Sequence, residues 1–284
     1  MIGVRPWGLA AMVTAALQLP AAFGAHAVAA ELTVEEAIAA AVRPGHLSGD
    51  AVLRIAERWP SRNFDDVPWD LLPRDAALRH HARARFFDVV LVDLEEGWLN
   101  ERIAIAFVRF ERARGGTAPH GAPLLGLESR YRDLLAQRDA VRAEQRSARS
   151  LLAIAMRRPG ELASDLVEPP IEVRTGVEEQ LVPAAGSASS RTGKAAARLH
   201  AYLAMRGRAV VSAGAELGAA RKALEHAEAL QDERRAALAT QGEGGSALDE
   251  AMAGVAHAQM QLYRASYRAI LYREIAETLA ATLP

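Results

Sequence analysis

The chain has 284 residues, no cysteine and a formal net charge of −1, with 34 basic and 35 acidic residues. This length accommodates one or two domains. The lack of cysteine excludes disulfides and thiolate metal sites, and the balanced charge gives no electrostatic reason to expect a nucleic-acid partner.

The first 30 residues have the pattern of a cleavable secretory signal peptide. Arg5 supplies a weakly positive start, Leu9 to Leu19 form an apolar stretch, and small residues follow up to Ala30. We expect cleavage near Ala29 or Ala30. The alternative is a membrane anchor, but apolar runs shorter than about 18 residues rarely span a bilayer. Export across the inner membrane of a cysteine-free chain suits a bacterial periplasm.

Two short helices are predicted after this segment. Thr33 and Glu36 have the spacing of a capping box, in which each side chain bonds to the backbone N–H of the other residue. The first helix then runs to about Val42, and a second is expected over residues 48–59. Residues 60–75 contain three prolines, which predicts an ordered loop rather than strands.

Four long helices are predicted over the rest of the chain, at about 74–114, 124–158, 194–240 and 246–283. Glycine-rich or proline-rich breaks separate them. Ser246 is expected to cap the last helix. In that helix, apolar positions alternate at spacings of three and four residues, which predicts one seam that packs against another helix. The seam comprises Leu248, Ala251, Val255, Ala258, Leu262, Ala265, Ala269, Tyr272, Ala276, Leu279 and Leu283.

The predicted fold is all-α, with two long antiparallel helical hairpins forming an elongated, four-helix, coiled-coil-like bundle. The two halves follow the same plan, which favours an internal duplication of about 120–130 residues. The expected segments are a signal peptide (1–30), short helices with a proline-containing loop (31–75), a first long hairpin (76–158), a linker (159–193) and a second long hairpin (194–284).

Histidine and carboxylate pairs were the candidates for chemistry, and a structural interpretation is favoured for each. His226 and His257 lie two residues beyond seam positions and should point to solvent rather than bind a metal. His80 and His81 are interpreted as a polar helix start, because adjacent side chains seldom converge on one ion. Catalysis by the pairs Glu95-Glu96 and Glu178-Glu179 would require a pocket and a second group. We therefore predict no catalytic, metal or cofactor site and no enzymatic activity.

Two further groups of side chains leave alternatives open. Large aromatic residues are concentrated on one long helix and indicate either core packing or a docking surface; they are Phe86, Phe87, Trp98, Phe107 and Phe110. Polar residues interrupt the apolar seams, and they either extend outward, line a wet lumen or face another subunit. These are Arg138, Gln145, Arg206, Gln231 and Arg234.

Several short stretches, in this order and spacing, resemble the TolC-like outer-membrane efflux proteins. Residues 32–41 (LTVEEAIAAA) are similar to the family's opening helix, and residues 121–129 (GAPLLGLES) to its first hairpin tip. Residues 151–159 (LLAIAMRRP) are similar to the end of its first half, and residues 244–251 (GGSALDEA) to its second tip. The resemblance covers most of residues 31–283.

The resemblance implies a trimer that receives substrates from an inner-membrane pump through a periplasmic adaptor. In the family, each protomer gives four helices to a tunnel and four strands to an outer-membrane barrel. Transmembrane strands need about 9–11 residues in which apolar and polar side chains alternate. The corresponding parts of this chain, 43–75 and 171–193, lack that pattern. We therefore expect a relative without barrel strands, with outer-membrane contact only through other means.

The leading hypothesis is a structural component of an export assembly that acts without a cofactor, either free in the periplasm or associated with the outer membrane. Its hairpin tips would dock a partner, and the tip residues are Gly115, Gly116, His120, Gly121, Gly242, Gly244, Gly245 and Ser246. The alternative is a periplasmic coiled-coil scaffold or chaperone that has no role in transport.

Overall fold

A computed structural model describes residues 31–64, 69–116, 124–160, 165–169, 194–241 and 245–282. This part of the chain is all-helical and has no strand, which confirms the predicted all-α class. The predicted signal peptide lies outside the described residues. The helices are α1 (Val34–Val42), α2 (Gly49–Arg58), α3 (Arg74–Arg114), α4 (Leu124–Ala155), α5 (Lys194–Gln241) and α6 (Gly245–Ala281), with a 3₁₀ turn at Trp69–Leu71.

The start of α1 is fixed by the predicted capping box. The Glu36 N–H donates to Thr33 Oγ1 at 3.2 Å, and the Thr33 N–H donates to Glu36 Oε2 at 2.9 Å. One isolated parallel bridge precedes the cap: the Leu32 N–H donates to the Asp165 carbonyl at 2.8 Å. This bond ties the chain before α1 to the segment that follows α4.

Three helix pairs make the most extensive contacts: α3 with α4, α5 with α6, and α3 with α6. Between α3 and α4, Arg149 pairs with Asp93 at 2.7 Å. Between α5 and α6, Arg268 pairs with Glu216 at 2.7 Å. Between α3 and α6, the Trp98 indole N–H donates to the Ala253 carbonyl at 3.3 Å. Since α3 also contacts α1 and α2, it is the central helix of the fold.

The main core lies between the first half of α3 and the second half of α6. Its largest fully buried side chains include Phe86, Phe87, Tyr267, Leu271 and Ile275. A smaller apolar cluster joins the second half of α3 to α4 and comprises Val92, Leu99, Ile103, Ala106, Leu134 and Val141. Burial of these apolar side chains is the main force that holds the helices together.

The seam predicted in α6 is confirmed within the described residues. From Ala265 onward its members are buried, and none of the described members, from Leu248 to Leu279, is exposed. The 3-4 spacing keeps these side chains on one side of the helix, where α5 and α3 cover them.

Candidate functional site

Two glycines end α3 at the tip between α3 and α4. The Gly115 N–H donates to the Glu111 carbonyl at 2.9 Å, and the Gly116 N–H donates to the Ala113 carbonyl at 3.2 Å. Gly116 adopts a φ of 72°, in the left-handed region where a side chain is disfavoured. These bonds satisfy carbonyl groups at the end of α3 that lack a helical partner.

The other predicted tip residues divide into two groups. Gly245 is the first residue of α6, so Ser246, the expected cap, lies inside the helix as its second residue. Helix formation by Gly245 moves the start of α6 one residue earlier than the sequence pattern indicated. His120, Gly121, Gly242 and Gly244 lie outside the described residues.

The structure brings the end of α3 and the start of α6 together. Arg109, near the end of α3, pairs with Glu250, near the start of α6, at 3.2 Å. Val108 and Asp249 line one shallow depression on the same surface. The end of α3 and the start of α6, although far apart in sequence, therefore adjoin.

Large apolar side chains are exposed around this end, and we call them the tip surface. Leu125 is the most exposed of them, at 79%. One edge of the tip surface is anchored, because the Phe107 ring contacts Tyr131 with centroids 5.6 Å apart. Clustered exposed apolar residues commonly mark an interaction site. The tip surface comprises Phe107, Val108, Leu124, Leu125 and Met252.

Arginines flank the tip surface and give it a mixed apolar and basic character. The Arg102 guanidinium lies over the Trp98 ring, 4.7 Å from its centroid. Arg109 and Arg112 follow on α3, while Asp249 and Glu250 of α6 supply acidic groups nearby. This arrangement can bind the apolar face of another protein chain and orient it through charge.

The structure places the aromatic residues of α3 in different surroundings. Phe86 and Phe87 are fully buried in the core, and Trp98 is half-buried between α3 and α6. Phe107 is exposed at the tip surface. Core packing therefore accounts for Phe86 and Phe87, and the docking alternative stays a prediction for Phe107.

His80 and His81 contradict the prediction of a polar helix start, because both are buried. Burial, together with the charge of nearby arginines, lowers the pKa of His80 to about 4 and that of His81 to about 3. His80 Nε2 lies 3.0 Å from Thr278 Oγ1, and the His81 ring meets Trp69 edge-on at 5.6 Å. Four other helices contact α3, and His80 and His81 lie on sides of it that are covered, whereas Arg74 and Arg79 remain exposed.

A buried polar cluster holds the loop that follows α2. Asp88 accepts hydrogen bonds from Ser61 Oγ at 2.8 Å and from Asn63 Nδ2 at 2.9 Å, and pairs with Arg85 at 3.2 Å. Arg85 also donates to the Trp59 carbonyl. This cluster was not predicted from the sequence. The pattern that could have indicated it is the i, i+3 spacing of Arg85 and Asp88, two opposite charges beside apolar residues of α3.

Polar residues of the predicted seams make contacts within the chain. Gln145 donates to Asp93 at 2.7 Å, and Arg206, only 2% exposed, lies between the Tyr202 and Tyr272 rings at 5.0 and 5.1 Å. Arg138 is half-buried and pairs with Asp139, Gln231 is half-buried, and Arg234 is exposed. Gln145 is thus satisfied by a neighbouring helix, whereas Arg206 donates to the Tyr202 hydroxyl at 2.6 Å within α5.

The remaining candidates for chemistry stand apart from one another. Glu95 and Glu96 make ion pairs with Arg62 and Arg142 respectively, whereas Glu178 and Glu179 lie outside the described residues. His226 and His257 are exposed, which confirms that they point outward. In the ranges given above, no group of three or more His, Cys, Asp or Glu residues is placed to hold a metal ion.

None of the described helices carries an apolar stretch long enough to traverse a lipid bilayer. No protein-family model matches this chain, and no curated protein matches it.

Proposed function

We propose that this protein is a TolC-like, efflux-associated helical protein with a structural role in an export assembly. The observation that carries the proposal is the junction between the end of α3 and the start of α6, where Arg109 meets Glu250 beside exposed apolar side chains. The proposal places the protein in the periplasm, delivered by the predicted signal peptide, and assigns it no catalytic step.

The proposed architecture is two antiparallel hairpins, α3 with α4 and α5 with α6, that arose by duplication and pack as an elongated four-helix unit. Paired contacts support this arrangement. Asp93 lies opposite Arg149, while Phe107, later in α3, lies opposite Tyr131, earlier in α4. Arg206 lies opposite Tyr272, while the later Glu216 lies opposite the earlier Arg268.

The proposed assembly is a homo-oligomer, a trimer if it follows the family. Because α4 and α5 each have one extensive neighbour among the described helices, each offers a second side for packing against another copy. Mass measurement of the purified mature protein in solution tests this. A trimer is expected, and a strictly monomeric protein would contradict the proposed homo-oligomer.

The proposed partners are a periplasmic adaptor at the tip surface and, through it, an inner-membrane pump. A photo-crosslinking amino acid at Leu125, the most exposed residue of the tip surface, should capture the adaptor in cells. A matched control carries the same group at Arg54, an exposed residue of α2 at the opposite end of α3. The proposal fails if Leu125 never yields a membrane-fusion-type adaptor, or if Arg54 captures it equally well.

A second candidate function is a periplasmic scaffold or chaperone without a transport role. The exposure of Phe107, Val108 and Leu125 favours it, because apolar surfaces also bind unfolded clients. This function predicts a monomer that suppresses aggregation of an unfolded test protein, and Leu125→Ser should reduce that suppression. It is contradicted by a stable trimer that leaves aggregation unchanged.

A further inference from the structure

A cleft of about 450 Å³ lies where α3, α5, α6 and the segment after α4 meet. Small-molecule sites in proteins usually occupy about 300–1,000 Å³. Gly97 and Trp98 of α3, Met260 and Tyr263 of α6, and Leu224 of α5 line this cleft. It is therefore large enough for a small organic ligand, and helices far apart in sequence form its walls.

Every charged side chain on the wall of this cleft is acidic. These side chains are Asp93, Glu101 and Glu168, and none of the described lysines, arginines or histidines lines the cleft. Arg149 balances the charge of Asp93 at 2.7 Å. Glu101 and Glu168 make no ion pair with another described residue. The wall therefore carries two negative charges that the described part of the chain leaves uncompensated.

Two tyrosine hydroxyls lie beside one of these carboxylates. Tyr263 donates a hydrogen bond to Glu168, and burial together with this bond raises the pKa of Tyr263 to about 12. The fully buried Tyr267 ring is 5.8 Å from that of Tyr263, and its hydroxyl has no hydrogen-bond partner among the described residues. Burial and the nearby charge of Glu168 raise the pKa of Tyr267 too. A carboxylate accepts several hydrogen bonds, so Glu168 can still accept one from a ligand.

The charges and rings of the cleft favour a cation. An anion would be repelled by Glu101 and Glu168, and a neutral ligand would leave both charges uncompensated. Aromatic rings such as that of Tyr263 attract cations through their negative faces. Arg102 lies over the Trp98 ring but lines a neighbouring depression, so its charge does not fill this cleft.

We propose that this cleft binds a small organic cation, namely a protonated amine attached to an aromatic or aliphatic body. The ammonium group bonds to Glu168, Glu101 adds a second negative charge, and the body packs against Leu94 and Leu262. The cleft uses other residues than the tip surface, so it stands or falls independently of the proposed export role.

Fluorine NMR titration of the full chain at neutral pH and fixed ionic strength tests the proposal. The probe is 2-(4-fluorophenyl)ethylamine, an alkylamine that is protonated under these conditions. Saturable binding is expected, with a dissociation constant on the order of 1 mM for so small a ligand. Two matched compounds define the charge requirement. The neutral 1-fluoro-4-propylbenzene and the anion 3-(4-fluorophenyl)propionate should each bind at least about tenfold more weakly, because neither donates a charged hydrogen bond.

Charge removal tests the role of the two carboxylates. The double variant Glu101→Gln/Glu168→Gln keeps the size of both side chains and should weaken binding of the amine at least about tenfold. Both residues are exposed, so the variant should fold. The control Glu233→Gln/Glu277→Gln removes two exposed carboxylates that do not line the cleft and should leave binding unaltered.

Filling the cleft tests its location. Gly97 lines the cleft, and an added Cβ there would meet nothing within 4 Å, so Gly97→Leu can occupy the open space without a clash. This variant should abolish binding. Gly218→Leu makes the same change at an equally open position of α5 outside the cleft, and it should bind the amine as the wild type does.

Four outcomes would overturn the proposal. The first is no saturable binding of the amine up to about 10 mM, and the second is equal binding of the amine and the neutral compound. The third is unchanged binding by Glu101→Gln/Glu168→Gln, and the fourth is unchanged binding by Gly97→Leu. Circular dichroism checks that each variant folds. If one variant does not fold, the other variant and the three compounds decide the question.

Discussion

The aromatic ring of Phe87 in α3 is stacked on that of Tyr267 in α6, with centroids 4.2 Å apart and planes inclined by 7°. Both side chains are almost completely buried. The Phe64 ring also packs against Phe87, with centroids 6.1 Å apart. Phe87 therefore joins the loop after α2 to the last helix, although the two are far apart in sequence.

Replacing Phe87 by alanine should lower the free energy of unfolding by about 3–5 kcal/mol, because the change leaves a cavity between α3 and α6. Chemical denaturation followed by circular dichroism measures this loss. The control is Phe107→Ala at the exposed tip surface, which should change stability by less than about 1 kcal/mol. Equal losses in the two variants would show that the stack is not part of the core.

Removing the carboxylate of Asp88 should destabilise the protein by about 3–5 kcal/mol, because Arg85 would remain as an uncompensated buried charge. Asp88→Ala also frees Ser61 and Asn63, so the loop after α2 should become sensitive to limited proteolysis. Asp232→Ala breaks an exposed i, i+3 pair with Arg235 and should cost at most about 0.5 kcal/mol. A similar small effect for both variants would contradict a buried role for Asp88.

Stability should fall as the pH is lowered from about 6.5 to 4, partly through His80 and His81. Burial lowers the pKa of these residues to about 4 and about 3, so in this window the unfolded chain binds more protons than the folded chain. The histidine contribution is therefore present above the unfolded pKa and lost as the pH falls toward the folded pKa.

Comparing the wild type with His81→Phe isolates that contribution from the titration of carboxylates. Denaturation at several pH values between 7.5 and 4 gives the free energy of unfolding, which should fall less steeply with decreasing pH in His81→Phe than in the wild type. The control His257→Gln, at an exposed position, should follow the wild type. Parallel curves for the wild type and His81→Phe would show that His81 is not buried in the neutral form.

Two glycines should respond to alanine in opposite directions. An added Cβ at Gly45 would lie 2.7 Å from Arg157 Cβ and 2.8 Å from the Arg157 carbonyl oxygen, so Gly45→Ala should destabilise by about 1–3 kcal/mol. Gly97 lies within α3 with nothing within 4 Å of the added atom, and Gly97→Ala should stabilise by about 0.5–1 kcal/mol. Thermal melts measure both; destabilisation by Gly97→Ala would contradict the open space beside it.

The α3 helix shows where sequence reasoning reaches its limit. Helical spacing places Phe87, Leu91 and Val108 on one broad apolar face of α3. Phe87 and Leu91 are buried, but Val108 is 42% exposed. Leu99 and Ile103 are buried instead, where α3 meets α4. The face that a helix buries changes along its length when its neighbours change, and spacing within one helix contains no information about those neighbours.

The sequence by itself determined the positions of the helices, the capping box at Thr33 and Glu36, and the seam of α6. These features depend on contacts within a few residues, or on the fixed number of residues per helical turn. Only the tertiary structure decided that His80 and His81 are buried, that Arg206 lies between two tyrosines, and that Arg109 meets Glu250. Burial and long-range pairing depend on which helices enclose a residue, and packing of the whole chain sets that.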